Sequence, residues 1–216
     1  VIEEAPAYDL PNEVRDKMAR AAVGLAETQA YEGAGTVEFI VDTITNEFFF
    51  LEMNTRIQVE HPVTEMTANV DLVELQIKLA RGDDLSAITQ DNIERSGHAI
   101  ECRLYAENPA KMFLPSPGIL DTLILPETTD RVRVDTGVVQ GDAVTPYYDP
   151  MLAKLICAAD TRDSALALMA ESLAATSIEG IANNVSFLEK VVMHPQFQKG
   201  NISTSFIDSY KVELLG

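Results

Sequence analysis

At 216 residues, with 46% hydrophobic and 6% aromatic content, the chain can bury a core of ordinary size. Its 16 Lys and Arg against 34 Asp and Glu leave a formal charge of -18, which repels a nucleic-acid backbone and an anionic membrane surface and excludes both as partners. The same acidity is at odds with a self-sufficient triphosphate site, where Lys, Arg and glycine-rich backbone amides usually concentrate.

No stretch approaches the roughly 18 apolar residues of a membrane span, and the start lacks the basic and apolar regions of a signal peptide. Cys102 and Cys157 sit in apolar strand-like runs and read as reduced core residues. An intracellular protein is expected, so the Asn-x-Ser sequons at Asn184 and Asn201 are read as chance matches. The opening Val1-Ile-Glu-Glu-Ala-Pro6 has no initiator Met and reads as the middle of a longer protein.

From Pro11 onward Val14, Met18, Ala22 and Leu25 recur at helical spacing, predicting an amphipathic helix over 11–30. Gly33 and Gly35 break the pattern. Thr36–Val41 and Glu47–Glu52 then read as two strands around a turn at Asp42–Asn46, a β-hairpin. A polar loop over 54–62 leads to a helix over 70–81, where Leu72, Leu75 and Leu79 share a face and Gly82 ends it. His98–Leu104 alternates as a strand with Glu101 and Arg103 on one face and His98, Ile100, Cys102 and Leu104 on the core face. Short strands at 119–125 and 131–135, a strand at 151–158, and helices at 163–175, 181–192 and 203–212 complete an α+β chain without internal repeats.

The hairpin carries the first chemical signal. Symmetric pairing about residue 45 sets Glu38 opposite Glu52, Ile40 opposite Phe50 and Asp42 opposite Phe48. Directly opposed carboxylates destabilise a sheet unless a cation lies between them or one is protonated. Glu38, Glu52 and the amide oxygen of Asn54 therefore form a candidate Mg²⁺ or Mn²⁺ set. A register slip of one residue would instead leave a solvated hairpin. Downstream, Arg56 offers a planar donor fork suited to a carboxylate, carbonate or phosphate, and Glu60 is a general base if it is held near the proton it takes. Spacing alone does not fix the reaction.

Phe50-Leu-Glu-Met-Asn-Thr-Arg-Ile-Gln-Val-Glu-His-Pro-Val-Thr-Glu65 resembles the signature of biotin carboxylases in the ATP-grasp superfamily. The resemblance continues through Gly33–Glu38, Gly97–Arg103, Phe113–Gly118 and Tyr147–Met151, and so covers essentially the whole chain. It implies an α+β fold: the carboxyl-terminal part of an ATP-grasp domain, an antiparallel sheet with helices, over 1–90, then the biotin carboxylase C-terminal α+β domain over 91–216.

It further implies that Glu38, Glu52 and Asn54 hold the metal ions bridging the ATP phosphates, that Glu60 deprotonates bicarbonate, and that Arg56 helps hold bicarbonate and stabilises the biotin enolate. Arg103 falls beside Gln58 and Val59 in the pocket for bicarbonate, phosphate and biotin, although as a strand residue it could simply pair with a neighbouring carboxylate. Ile40 and Leu51 match aliphatic positions near the adenine, yet strand residues of this kind are core by default. His61 reads as structural, and Asp149 as a second support of the site or as a turn former before Pro150.

The implied reaction is ATP-dependent carboxylation of biotin on a carrier protein through carboxyphosphate, within an acyl-CoA carboxylase of the bacterial cytoplasm or mitochondrial matrix. The implied partners are an amino-terminal half with the glycine-rich lid and phosphate-clamping residues, a biotin carboxyl carrier protein or domain, a carboxyltransferase component and further copies of the full enzyme. The chain alone is expected not to turn over. Two other readings are a ligase of the carbamoyl-phosphate synthetase type, whose shared core lacks the Arg-x-Gln-Val-Glu-His continuation, and a non-catalytic interaction segment.

Overall fold

The computed structural model describes residues 1–215, with Asp91 by its backbone only. The chain divides into two compact units, Ala7–Arg95 in one and Val1–Pro6 with the chain from Ser96 onward in the other. Helices and antiparallel sheets make up both, the α+β class expected.

In the unit spanning Ala7–Arg95, α1 (Asn12–Thr28) begins after Pro11, which has no N–H to donate and whose carbonyl accepts from the Val14 and Arg15 amides. Strands β2 (Thr36–Val41) and β3 (Phe48–Asn54) form the hairpin. Its turn is closed by Asp42, whose Oδ1 accepts from the amides of Ile44 at 2.8 Å and Thr45 at 3.0 Å. These bonds, that from Thr45 foremost, hold the Asp42 carboxyl below the ordinary range.

Two helices follow, α2 (His61–Ala68) and α3 (Leu72–Arg81). The second ends at Gly82 as its sequence predicts and is capped at its start by a residue the periodicity does not single out. Asp71 accepts from the Glu74 amide at 2.7 Å, and Gly82 ends the helix at φ 77°. The first replaces part of the expected loop; Pro62 at its first turn and the short run Val63–Ala68 give too brief a period to read.

The other unit is built on a four-stranded antiparallel sheet of β1 (Ile2–Ala5), β4 (His98–Tyr105), β5 (Val132–Thr136) and β6 (Met151–Ala159), in the order β1–β4–β6–β5. Register assigns the faces. Ile100, Cys102, Leu104, Leu155 and Cys157 point to the core beneath α4 (Arg162–Ala174) and α5 (Val185–Met193), which contribute Leu166, Met169, Leu173, Leu188 and Val192. Each fully buried side chain of this size contributes roughly 1.5–3 kcal/mol. Burial pushes the Cys102 thiol well up and the Cys157 thiol up to about 11, so both are protonated at neutral pH.

The opposite face is charged: pairing brings Glu3, Glu101, Arg103, Lys154, Arg133 and Asp135 onto it. The alternation read for His98–Leu104 holds, but Glu101 is as buried as its apolar neighbours, at 0% exposure. The reason is position: β4 is an interior strand with a partner on each side, and only tertiary assembly reveals that.

Strand β1 is absent from the sequence reading because two glutamates in four residues, followed by Pro6, give no strand signal. Its Glu4 supplies a buried ionic tie. Glu4 Oε2 lies 2.7 Å from His98 Nε2 and 2.7 Å from Arg162 Nε, while Arg162 donates onward to the carbonyls of Phe197 and Gln198. Burial raises the Glu4 carboxyl, but the bonds from His98 and Arg162 outweigh it and hold it below its ordinary value.

A lowered folded value means stability that is complete above the ordinary glutamate value of 4.5 and lost as pH falls through the folded one. Glu4→Gln should therefore cost about 3 kcal/mol at neutral pH and progressively less in acid. Urea unfolding at pH 7 and pH 3 tests this; an equal loss at both values refutes it.

Candidate active site

The hairpin sets Glu38 directly opposite Glu52, as the sequence predicts. Beyond that pair the register differs. Leu51 is an extra residue on β3, so Phe39 faces Phe50, Ile40 faces Phe49 and Val41 faces Phe48, in place of the expected Ile40–Phe50 and Asp42–Phe48 pairs. Such a bulge puts two residues of one strand opposite one of the other and increases the local twist, and residue counting about a turn does not register it.

Strand β3 runs on to Asn54, two residues past its predicted end, placing that amide on the face of Glu52. There Asn54 Nδ2 donates to Glu38 Oε1 at 2.7 Å and to Glu52 Oε1 at 3.1 Å. Gln58 Nε2 adds a third hydrogen bond, 2.9 Å from Glu38 Oε1. Two facing carboxylates are thus bridged by amide dipoles, the geometry of a site that attracts a cation. Among the described residues no three His, Cys, Asp or Glu side chains cluster as a metal set. A cation here would take two carboxylates and an amide from this chain and its remaining ligands from elsewhere.

The segment that follows is held by backbone. Arg56 is exposed and its Nη1 donates to the Ile57 carbonyl at 3.1 Å. Gln58, Val59 and Glu60 are half-buried, and the carbonyls of Gln58 and Glu60 accept from His61 and Val63 as the chain turns into α2. Glu60 sits immediately before the first residue of that helix.

Glu65, 4% exposed, anchors the turn from below. Its Oε1 lies 3.0 Å from His61 Nδ1 and accepts from the Leu72 amide at 2.7 Å, stitching α2 to the start of α3. The sequence predicts a structural role for His61 and singles out none for Glu65; their spacing of four residues is the signal that links them. Ile40 and Leu51 are 61% and 60% exposed, so the default that strand aliphatics are core fails for both.

Arg103 stands on β4, in the other unit. Its Nε lies 3.0 Å from Glu3 Oε1, so it does pair with a strand carboxylate, one on the strand the sequence did not show. Burial raises the Tyr105 hydroxyl, and a hydrogen bond with Arg103 opposes that. Burial also raises the Glu107 carboxyl, with the nearby Asp149 charge adding to it. Asp149 itself accepts from the Met151 amide at 2.8 Å, a turn bond across Pro150.

Residues 101–209 match the family described as the biotin carboxylase C-terminal domain, which is half of the chain. This chain belongs to the biotin carboxylase family. Residues 1–88 match the ATP-binding domain of the carbamoyl-phosphate synthase L chain.

Among biotin carboxylase relatives, the mitochondrial methylcrotonoyl-CoA carboxylase subunit alpha of Glycine max is 49% identical over 99% of this chain and 29% of its own length. Biotin carboxylase 1 of Bacillus subtilis is 47% identical over 98% of this chain and 47% of its own. The chain therefore spans less than half of each. A solved relative is the biotin carboxylase domain dimer of Hydrogenobacter thermophilus 2-oxoglutarate carboxylase, in complex with MgADP, ADP and bicarbonate. It superposes with a TM-score of 0.95 at 36% identity, over 99% of this chain and 47% of that one.

Glu65→Ala should lower stability by about 2–3 kcal/mol, because it leaves the Leu72 amide without its acceptor. Glu65→Gln, which retains an acceptor oxygen, should cost less than half as much. Urea midpoints of the two variants decide; equal losses would count against the stitch.

Proposed function

We propose that this chain supplies the metal-holding and bicarbonate-activating part of a biotin carboxylase, which carboxylates biotin on a carrier protein at the expense of ATP. The observation that carries the reading is the bridged Glu38–Glu52 pair leading directly into Arg56–Glu60. The MgADP and bicarbonate bound by the Hydrogenobacter relative support it.

Glu38, Glu52 and Asn54 fit a divalent cation, because opposed carboxylates and a reorientable amide are a hard oxygen set. Mg²⁺, or Mn²⁺ in its place, would neutralise charge on the ATP phosphates there. Ile40 and Leu51 offer exposed aliphatic surface to the adenine.

Glu60 takes the bicarbonate proton, which makes the oxygen nucleophile that attacks the terminal phosphate; carboxyphosphate and ADP result. By the family resemblance Arg56, Gln58 and Val59 of one unit, and Arg103 of the other, are each assigned to holding the oxyanions. Carboxyphosphate then breaks to CO₂ and phosphate, the released phosphate takes the proton of the biotin ureido N–H, and the resulting enolate, stabilised by Arg56, attacks CO₂ through nitrogen to form the new C–N bond.

The phosphate-gripping groups, the carrier and the carboxyltransferase belong to the rest of the assembly, and the full enzyme assembles as a homo-oligomer. Similarity to methylcrotonoyl-CoA carboxylase favours an acyl-CoA enzyme as the destination of the carboxyl group. Mitochondrial and bacterial relatives favour the matrix or the bacterial cytoplasm, and no helix among the described residues is long and apolar enough to cross a membrane.

In the complete enzyme, ATP cleavage should require bicarbonate and biotin. Arg56→Ala and Glu60→Gln should each lower turnover roughly a thousandfold while leaving ATP binding nearly intact. Near-normal turnover in either variant refutes the assigned role, and formation of carbamoyl phosphate would move the chain to the carbamoyl-phosphate synthetase type.

A further inference from the structure

The charged face of the four-stranded sheet repeats, in the second unit, the problem of the hairpin. Glu3 on β1 pairs in register with Glu101 on β4, carboxylate opposite carboxylate. Arg103 lies two residues along β4 on the same face, and its Nε meets Glu3 Oε1 at 3.0 Å. Glu3 Oε2 is buried without a hydrogen-bond partner among the described residues. At 20% and 21% exposure the two side chains form an ion pair that water screens less than a fully exposed one.

The backbone under Arg103 is fixed from both edges. Its amide donates to the Val1 carbonyl at 3.0 Å, and its carbonyl accepts from Asn184 Nδ2 at 3.0 Å. Asn184 is fully buried and returns its Oδ1 to the Tyr105 amide at 2.8 Å, acting as a side-chain continuation of the sheet. A clamped backbone leaves the side-chain torsions as the remaining freedom, and an unrestrained arginine carries about 2 kcal/mol of rotamer entropy. A fork that must meet a small oxyanion loses affinity when its direction is loose.

We propose that Glu3 is a positioning residue for Arg103, gripping the Nε edge of the guanidinium and so setting the direction in which its fork meets the bicarbonate-derived oxyanion. This rests on the assignment of Arg103 to the oxyanion pocket. The contrast within one strand is instructive: Glu4 points to the opposite face and ties β1 to His98 and Arg162, a fold contact, whereas Glu3 holds a residue of the pocket.

The test is steady-state kinetics of the complete enzyme with Glu3→Gln, Glu3→Asp, Arg103→Ala and the Glu3→Gln/Arg103→Ala pair, with thermal midpoints alongside. Glu3→Gln should raise the KM for bicarbonate about tenfold, leave the KM for ATP within about twofold, and shift the midpoint by no more than about 2 °C. Glu3→Asp should recover part of the loss, and Glu3→Gln should cost nothing further once Arg103 is Ala. If Arg103→Ala impairs bicarbonate use but Glu3→Gln costs as much in its presence as in its absence, the positioning role is wrong while the proposed function stands. Parallel loss for both substrates with a lowered midpoint likewise reduces Glu3 to a fold contact. If Arg103→Ala leaves bicarbonate kinetics unchanged, the assignment of Arg103 fails and the role of Glu3 fails with it.

Discussion

Antiparallel pairing that sets like charge against like charge is the constraint around which both units are organised. In the hairpin it joins Glu38 to Glu52, and in the larger sheet Glu3 to Glu101. Neither pair is tolerable as a bare contact, since directly opposed carboxylates repel at the closest spacing a sheet provides. The hairpin answers with neutral amide dipoles from Asn54 and Gln58, which bridge the two carboxylates without cancelling their charge. The sheet answers with the fixed charge of Arg103. One solution is exchangeable and suits a cation; the other is permanent and suits holding a guanidinium in one direction.

The sheet also shows how polar chemistry is installed on an interior strand. One face of β4 is given to apolar packing under α4 and α5, which carries the folding free energy. The other face is then available for charge, because its carboxylates and cations answer one another: Lys154 and Arg133 meet Asp135, and Arg103 meets Glu3. Burial raises the Asp135 carboxyl, and the bonds from Arg133 with the Lys154 charge more than reverse that. A charged face of this kind costs desolvation, and it holds an arginine at a set place.

Much of the site was legible because its residues are close together in sequence. The Glu38–Glu52 pairing needed only a hairpin with a short turn, and Asn54, Arg56, Gln58 and Glu60 lie within nine residues of Glu52. The contacts that support these residues were less visible. The His61–Glu65–Leu72 stitch spans a helix whose period is too short to read, and residue counting about a turn does not register the Leu51 bulge.

The sequence by itself determined the α+β class, the apolar face of β4, the end of α3 at Gly82, the opposed glutamates and the resemblance that named the family, because each depends on neighbours along the chain. Tertiary structure alone decided that Ile2–Ala5 is a strand of the sheet begun almost a hundred residues later, that Glu101 is buried, and that Glu3 and Glu4 serve opposite faces. Those outcomes depend on which strand lies beside which. A strand of four residues carries no periodic signal of its own, and its partners exist only when the chain has closed the loop that brings them together.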